Sequence, residues 1–334
     1  MKKAVFIRLD KIGDLICTMP VDQVPELKNW EITWVIAKGL AFVPDHADPK
    51  RRYIELDKSQ PTEARKKLDA FIKEFKPDVA VSFQSPWWVN FVLWKNRVAK
   101  RIGVLSQWHS FVFLNAGLRQ KRSQAIKHEA DYNLDLIKQI EPGKILDPEA
   151  PILHLKATPQ PEVLNQYNLQ PKKYMVVHPG MAGSALNWPT KYYIELIGKL
   201  TAHYTVVLTG TPADEPFIKD IREYYKNDAQ VICLQNKLNT QQLLYILEQA
   251  NSVFAPSTGV IHMAASLGTR VYGFYSPIRV QTVTRWGARG KGGVHLFTPN
   301  LSCPATHECL GKECSSYPCM EKITPEQVLK ELPK

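Results

Sequence analysis

Short apolar runs alternate along the chain with stretches in which apolar residues recur every three or four positions. Residues 4–8 form an apolar, β-branched run that predicts a buried strand, and Gly13 marks the turn into a helix. Residues 62–75 place four apolar side chains at helical spacing before Pro77, which predicts a helix that ends there. This β–α rhythm predicts a mainly parallel sheet that is covered by helices on both faces.

The rhythm is interrupted at residues 141–172, which contain six prolines and little sustained periodicity. Because 334 residues accommodate two domains, we expect an N-terminal α/β domain at 1–150, a proline-rich linker at 151–172, a second α/β domain at 173–320 and a C-terminal helix at 321–334. The other predicted strands are 31–36, 78–83, 174–178, 205–208, 231–234, 252–255 and 271–275, and the other predicted helices are 190–202, 213–226, 240–250, 260–267 and 324–332. Open α/β sheets bind ligands at the carboxyl ends of their strands, so a cleft between the two sheets is the expected site.

Composition narrows the class of protein. Hydrophobic residues make up 44% of the chain and charged residues 22%, which excludes a disordered, collagen-like or disulfide-stapled protein. The apolar run after Lys2 and Lys3 is too short for a signal peptide, and no stretch approaches the roughly 18 apolar residues of a membrane helix. We therefore expect a cytoplasmic protein.

The net charge of +11 is unevenly distributed. Residues 79–128 contain no acidic side chain and eight Lys or Arg, and residues 249–307 contain no acidic side chain and five Lys or Arg. Solvated protein surfaces normally mix both signs of charge. The two basic runs therefore indicate acidic partners, namely nucleic acid, an anionic membrane surface or a phosphorylated substrate.

Three loops of the second predicted domain each follow a strand, contain glycine and hydroxyl side chains, and precede a helix. Backbone N–H groups at the start of a helix are suited to phosphate, so together these loops favour a nucleotide site over plain connections. The loop at 178–189 is also longer than a usual βα connection. The candidate donor-binding residues in these loops are Gly180, Ser184, Thr209, Gly210, Glu215, Ser257, Thr258, Gly259 and His262.

The loop after the first strand leads to Asp14 at the start of the predicted helix. A carboxylate at this position either caps the helix and complements its dipole or faces the cleft as a general base, and the spacing leaves both interpretations open. The loop has no GxGxxG pattern, so a dinucleotide fingerprint is absent from this part of the sequence.

Four cysteines near the C-terminus lack the CxxC pair that is typical of structural zinc sites. We therefore expect reduced thiols and no metal site. If a metal is bound, the candidate ligands are Cys303, Cys309, Cys314 and Cys319.

Four motifs carry a resemblance to a known family. They read RLDKIGDL at 8–15, HPGMAGSALNWP at 178–189, LTG at 208–210 and STGVIHMAASLG at 257–268. In this order, over nearly the whole chain, they resemble glycosyltransferase family 9, the ADP-heptose:lipopolysaccharide heptosyltransferases and their relatives. The resemblance implies a GT-B fold, in which two Rossmann-like domains flank a cleft, with the acceptor on the N-terminal domain and the donor nucleotide on the C-terminal one.

The resemblance also implies an inverting transfer that needs no metal and no cofactor besides the nucleotide-sugar co-substrate, ADP-heptose. Asp14 matches the family's proposed general base, and Thr258 and Gly259 match its phosphate-binding loop. Glu215 is near the position expected to hold the donor nucleoside, and Ser184 lies in the other phosphate-facing loop.

Two positions depart from the family pattern. Leu186 stands where many members have Lys or Arg, which removes one cation from the phosphate site. Ser257 stands where members commonly have an Asp that contacts the donor sugar. The sequence therefore leaves open whether the donor sugar is heptose. We hypothesise that Lys11, Arg279 or Arg285 supplies the missing charge.

The expected function is transfer of heptose from ADP-heptose to an anionic, lipid-linked glycan such as lipopolysaccharide inner core. Peripheral contact with the inner face of the cytoplasmic membrane is compatible with this function. The candidate cations for the acceptor and the phosphates are Lys11, Arg97, Arg101, Arg119, Arg122, Arg279 and Arg285.

Three alternatives remain. One is a nucleotide-sugar epimerase or hydrolase on the same fold, and another is a non-catalytic relative that serves as an interaction module. The third is a nucleic-acid-binding protein that uses the basic and aromatic residues at 87–128. The third leaves the three phosphate-type loops unexplained, so we expect no nucleic-acid partner.

Overall fold

The chain forms two α/β units, each built on one parallel sheet. The computed structural model describes residues 1–181, 183 and 185–333, so the candidate Ser184 lies outside the described residues. The first unit comprises residues 1–122 and 127–153, and the second comprises 123–126 and the chain from His154 onward. The two parallel-sheet domains predicted for a GT-B fold are therefore confirmed.

The sheet of the first unit has the strand order β3-β2-β1-β4-β5, and neighbouring strands are parallel. Its strands are β1 (Lys3–Arg8), β2 (Glu31–Ala37), β3 (Arg52–Leu56), β4 (Val79–Gln84) and β5 (Lys100–Gly103). Its helices are α1 (Ile12–Thr18), α2 (Phe42–His46), α3 (Pro61–Phe75), α4 (Trp87–Lys95), α5 (Trp108–Phe113) and α6 (Glu129–Ile137).

The side-chain alternation of β1 explains how this unit positions its functional residues. Val5 and Ile7 point to the face covered by α3 and α4, where they join the apolar core of the unit. Phe6 points to the opposite face and packs edge-on against Trp34 of β2. Arg8, two residues further along, lies on this second face, where the side chain of Glu129 at the start of α6 contacts it.

The sheet of the second unit has the strand order β11-β10-β9-β6-β7-β8, again with parallel neighbours. Its strands are β6 (Tyr174–Val177), β7 (Thr205–Leu208), β8 (Val231–Cys233), β9 (Ser252–Pro256), β10 (Arg270–Phe274) and β11 (Val294–Phe297). Its helices are α7 (Pro161–Gln166), α8 (Thr190–Leu200), α9 (Glu215–Tyr224), α10 (Thr240–Gln249), α11 (Gly259–Ser266), α12 (Val283–Trp286) and α13 (Pro325–Lys330).

Trp188 anchors the core of the second unit. Its ring stacks on Phe274 of β10 with 4.2 Å between ring centroids and meets Tyr193 of α8 edge-on. Its indole N–H donates a hydrogen bond of 2.8 Å to the main-chain oxygen of Ile323. The tryptophan that follows the long loop at 178–187 therefore attaches the C-terminal segment to the sheet.

Several elements were not predicted from the sequence pattern. These are β3, β5, β11 and the helices α2, α4, α5, α6, α7 and α12. The helix predicted at 213–226 begins at Glu215, after a 3₁₀ turn formed by Pro212–Asp214. Within the described residues, none of the helices is long and apolar enough to cross a bilayer.

Candidate functional site

The first candidate site lies at the carboxyl edge of the first sheet. The strand order reverses between β1 and β4, so the loops that follow these two strands leave the sheet side by side. In open α/β sheets such a reversal creates a crevice that binds ligands. The loop after β1 contains Asp10 and Lys11, and Asp14 lies in the first turn of α1.

A buried arginine lies behind this loop. The side chain of Arg8 is 1% exposed and contacts three carboxylates. Its Nη2 donates to Asp14 Oδ1 at 2.5 Å, and its Nη1 donates to Glu129 Oε1 at 3.3 Å. Its Nε lies 2.9 Å from Asp10 Oδ2, within ion-pair reach, although the N–H is not aligned for a hydrogen bond. Arg8 thereby fixes one oxygen of the predicted base, Asp14.

The charges in this cluster shift the pKa values of Arg8 and Asp10. Burial alone would lower the pKa of Arg8, but Glu129, Asp14 and Asp10 outweigh it and raise that pKa above its ordinary value. Burial raises the pKa of Asp10, and the nearby Arg8 acts in the opposite direction. The guanidinium therefore stays charged between the three carboxylates that surround it.

Glu129 extends the cluster to a second arginine. Its side chain is fully buried, and it also accepts a hydrogen bond of 2.5 Å from Nη1 of Arg122. Arg122 additionally donates to the side-chain oxygen of Asn133 at 2.9 Å, and Asn133 donates to the hydroxyl of Thr18 in α1. Of the predicted acceptor cations, Arg122 is thus joined to the Arg8 cluster.

The other predicted cations of the first unit are dispersed. Lys11 is exposed at the N-cap position of α1, immediately beside Asp10. Arg101 donates from its guanidinium to the main-chain oxygens of Val98 and Phe113. Arg97 is exposed just after α4, and the guanidinium of Arg119 lies 5.2 Å from the ring centroid of Phe111. Arg97 and Arg119 therefore lie near the aromatic helices α4 and α5.

The second candidate site lies at the carboxyl edge of the second sheet. The strand order reverses between β6 and β9, whose outer neighbours are β7 and β10. The loops after these four adjacent strands begin at His178, Thr209, Ser257 and Tyr275. The sheet topology therefore brings the predicted phosphate-type loops to one edge.

Two of these loops are fastened together by buried polar groups. Nδ1 of His178 lies 3.0 Å from the hydroxyl oxygen of Thr209. Burial lowers the pKa of His178 to about 4, although Asp214 acts in the opposite direction, so the ring is neutral at neutral pH. Asp214, also buried, accepts hydrogen bonds from the main-chain N–H and the hydroxyl of Thr211.

Gly180 is required by a close approach to Asp214. A Cβ atom added at residue 180 would lie 2.1 Å from Asp214 Oδ1, which no side chain permits. Gly210 is similarly restricted, because a Cβ there would lie 2.2 Å from the side chain of Ile218. Gly180 thus allows the loop after β6 to approach Asp214, and Gly210 allows the loop after β7 to pack against α9.

The remaining predicted donor residues are found around the same edge. Glu215 begins α9, and hydrogen bonds from Arg222 lower its pKa to about 2. Thr258 has extended backbone at the N-cap position of α11, Gly259 is the first residue of that helix, and His262 is buried within it. The main-chain N–H of Ser257 donates to the main-chain oxygen of Phe274 at 3.0 Å.

Arg279 and Arg285 lie in the segment that follows β10, the strand next to β9. Arg279 is exposed, and Arg285 lies with its guanidinium 5.1 Å from the ring centroid of Trp286. Leu186, which replaces the family's cation, is partly buried against the core of the unit. Leu186 therefore contributes apolar packing, and the two arginines bring positive charge to this segment.

The four C-terminal cysteines line one small cavity together with Leu186 and Ile278. Burial raises the pKa of the Cys319 thiol, and the three neighbouring cysteines act in the same direction. Across the described residues, no group of three or more His, Cys, Asp or Glu side chains is placed to hold a metal ion.

Sequence reasoning missed four residues that build these sites: Arg8, Glu129, His178 and Asp214. Arg8 and His178 were quoted only as parts of motifs, and each ends or directly follows a buried strand. An ionisable side chain in such an apolar run was the available signal. Glu129 and Asp214 gave no comparable signal, because each lies in a locally polar segment.

Comparisons with known proteins agree with this architecture. The model for the family described as glycosyltransferase family 9 (heptosyltransferase) matches residues 65–310. A Haemophilus influenzae protein described as a glycosyltransferase is 29% identical, and the match covers 99% of this chain and 96% of that protein.

Two solved structures share the fold at low sequence identity. The family 9 glycosyl transferase of Veillonella parvula has a TM-score of 0.81 at 19% identity, covering 98% of this chain and 95% of its own. The Escherichia coli ADP-heptose lps heptosyltransferase II has a TM-score of 0.76 at 17% identity, covering 99% and 97%.

The Arg8 cluster generates a stability prediction. Replacing Arg8 by Met should lower the free energy of unfolding by about 3–5 kcal/mol, because three carboxylates lose the buried charge that compensates them. Urea denaturation followed by circular dichroism would measure it. The matched control is Arg52→Met, which removes an ion pair to Glu31 from an arginine that is 73% exposed and should cost less than about 1 kcal/mol. Equal losses in the two variants would contradict this account of the cluster.

Proposed function

The chain belongs to glycosyltransferase family 9, and from that premise we propose that it transfers heptose from ADP-heptose to lipopolysaccharide inner core with inversion at the anomeric carbon. The observation that carries the proposal is the carboxylate Asp14, held by Arg8 at the topological switch point of the first sheet. The E. coli protein with the same fold is named for ADP-heptose and for lipopolysaccharide, which supports this donor and this acceptor.

Asp14 acts as the general base in the proposed reaction. It accepts the proton of an acceptor hydroxyl while that oxygen forms a bond to the anomeric carbon. The bond from this carbon to the diphosphate oxygen breaks at the same time, and ADP leaves with the bonding electrons. Arg8 acts as a positioning residue, because its Nη2 fixes Asp14 Oδ1 and its own side chain is only 1% exposed.

Leaving-group charge is stabilised by the second unit in this proposal. The first main-chain N–H groups of α11, next to Thr258 and Gly259, are suited to bind the pyrophosphate. Arg279 and Arg285 supply the positive charge that Leu186 does not. In agreement with the family resemblance, the nucleotide sugar is the only co-substrate we propose, and no metal takes part.

Acceptor recognition is assigned to the first unit. Its acid-free segment at 79–128 carries eight Lys or Arg and is suited to the acids and phosphates of an inner-core glycan. Lys11 is exposed next to Asp10. Of the predicted cations, it is the one closest in sequence to the proposed base, Asp14. We assign Lys11 to the acceptor.

The role of Asp14 is tested against its neighbour Asp10. Asp14→Asn should lower kcat at least about 100-fold, the usual scale for a general base, while ADP affinity stays near that of the wild type. Asp10→Asn is the matched control, because it also removes a carboxylate that contacts Arg8, and its kcat should fall much less. Steady-state kinetics of ADP release measure both variants. The opposite ranking would assign the base to Asp10.

The identity of the donor nucleotide is tested by thermal shift. ADP should raise the melting temperature more than UDP or GDP at equal concentration, since a ligand that binds only the native state stabilises it by mass action. At 100 times its Kd the stabilisation is about 2.7 kcal/mol. A larger shift with UDP or GDP would contradict an adenine donor and leave the assignment of the family intact.

The compensating role of the two arginines is tested by ADP binding. The double variant Arg279→Ala/Arg285→Ala should weaken ADP binding at least about tenfold in isothermal titration, because contacts to a charged group are lost. Lys291→Ala is the control, because it removes a charge from the same acid-free segment but lies just before β11, at the opposite edge of the sheet. Unchanged ADP affinity in the double variant would show that the phosphates are neutralised elsewhere.

A further inference from the structure

Helix α4 is apolar on two opposite faces. Its inner face places Trp88, Val89 and Leu93 in the core of the first unit. Its outer face presents Trp87, Phe91 and Trp94, which are spaced four and three residues apart and therefore lie on one side of the helix. A surface helix normally carries polar side chains on its outer face. The outer face of α4 therefore has an apolar surface that the fold of this unit does not use.

Helix α5 extends this surface. Phe113 packs against both Phe91 and Trp94, with 5.6 Å between the ring centroids in each case. Trp108 and Phe111 of the same helix are 73% and 49% exposed, and Val112 between Phe111 and Phe113 is exposed as well. We call this surface the α4–α5 aromatic face, defined by Trp87, Phe91, Trp94, Trp108, Phe111, Val112 and Phe113.

Cations surround the α4–α5 aromatic face and in two places lie over its rings. The guanidinium of Arg65, from α3, is 4.6 Å from the ring centroid of Phe91, and that of Arg119 is 5.2 Å from the centroid of Phe111. Lys95 and Arg97 lie at the end of α4. The nearby acid of α3, Asp69, is paired with Lys73 and Lys95. The surface is therefore aromatic and positively charged.

The combination of aromatic and basic side chains indicates what kind of partner binds the α4–α5 aromatic face. Tryptophan is enriched where a protein meets lipid headgroups, and basic side chains next to such aromatics are attracted to anionic lipids. A second copy of the chain is disfavoured, because a two-fold contact through this face would bring the same cations of both copies together. We propose that the α4–α5 aromatic face docks on the headgroup region of an anionic lipid bilayer.

Docking of this kind would hold the first unit at a lipid surface without a membrane-spanning segment. It does not require that the acceptor or the donor be those proposed above, since it depends on the bilayer alone. The aromatic side chains of this face and the Lys and Arg side chains assigned to the acceptor share the segment at 79–128 but are different residues, so docking and turnover can be measured separately.

Vesicle co-sedimentation with the full-length chain tests the inference in the absence of substrate. Phosphatidylethanolamine vesicles that contain phosphatidylglycerol should bind the protein at least about tenfold more tightly than neutral phosphatidylcholine vesicles, and high salt should weaken the binding. Trp108→Ser/Phe111→Ser should lower the affinity for the anionic vesicles at least about tenfold, through loss of buried aromatic area. Trp94→Ser is a second, independent variant on α4.

Tyr224→Ser is the matched control, because Tyr224 is 68% exposed on α9 of the second unit, and its vesicle affinity should equal that of the wild type. Turnover of a delipidated, water-soluble acceptor should be unchanged in Trp94→Ser, whose ring contacts only Phe91 and Phe113 among the aromatic side chains, and this separates docking from the proposed function. Full vesicle binding by both aromatic variants would overturn the proposal, as would absence of binding by the wild type. Aromatic-dependent dimerisation, or tighter binding to single-stranded oligonucleotide than to anionic vesicles, would replace the bilayer by another partner.

Discussion

A guanidinium buried at the end of a central strand is the constraint on which the first candidate site depends. Arg8 is 1% exposed, and a charge removed from water to this extent requires partners with opposite charge. The partners come from three places: the loop after β1, the first turn of α1 and the start of α6. Compensation of the buried Arg8 charge therefore determines where these three carboxylates lie, including Asp14 at the carboxyl edge of the sheet.

In the second unit, different interactions hold the loops at the carboxyl edge of the sheet. There the groups behind the loops are close-packed and, in the case of His178, uncharged at neutral pH. Gly180 allows the carboxylate of Asp214 to approach the main chain, and Asp214 in turn orients Thr211. Positive charge is added from the segment after β10. The loops at this edge can bind an anion through main-chain N–H groups and arginine side chains. The first unit instead presents a carboxylate that is suited to accept a proton.

The sequence predicts the buried strands, which are short apolar runs, and the amphipathic helices, in which apolar residues recur every three or four positions. The strands that were missed, β3, β5 and β11, are all edge strands, where alternation is mixed with charged or half-buried side chains. Helix α4 was missed because residues that are apolar on both faces leave no helical period to detect. The loop before Asp14 and the phosphate-type loops could be located because they follow strands directly, whereas the role of Asp14 as a base comes from the family resemblance and stays a prediction. Glu129 and Asp214 could not be located in this way, since their roles arise from contacts made only in the folded chain.

The central claim is that the chain transfers a sugar to an acceptor, in a reaction that uses the carboxylate held by Arg8. The most direct measurement is product analysis by mass spectrometry after incubation with ADP-heptose, with and without delipidated inner-core glycan. The account predicts that ADP and a glycan heavier by one heptose appear together and only when the acceptor is present. Consumption of ADP-heptose at the same rate without acceptor, giving free heptose or an isomerised nucleotide sugar, would contradict it.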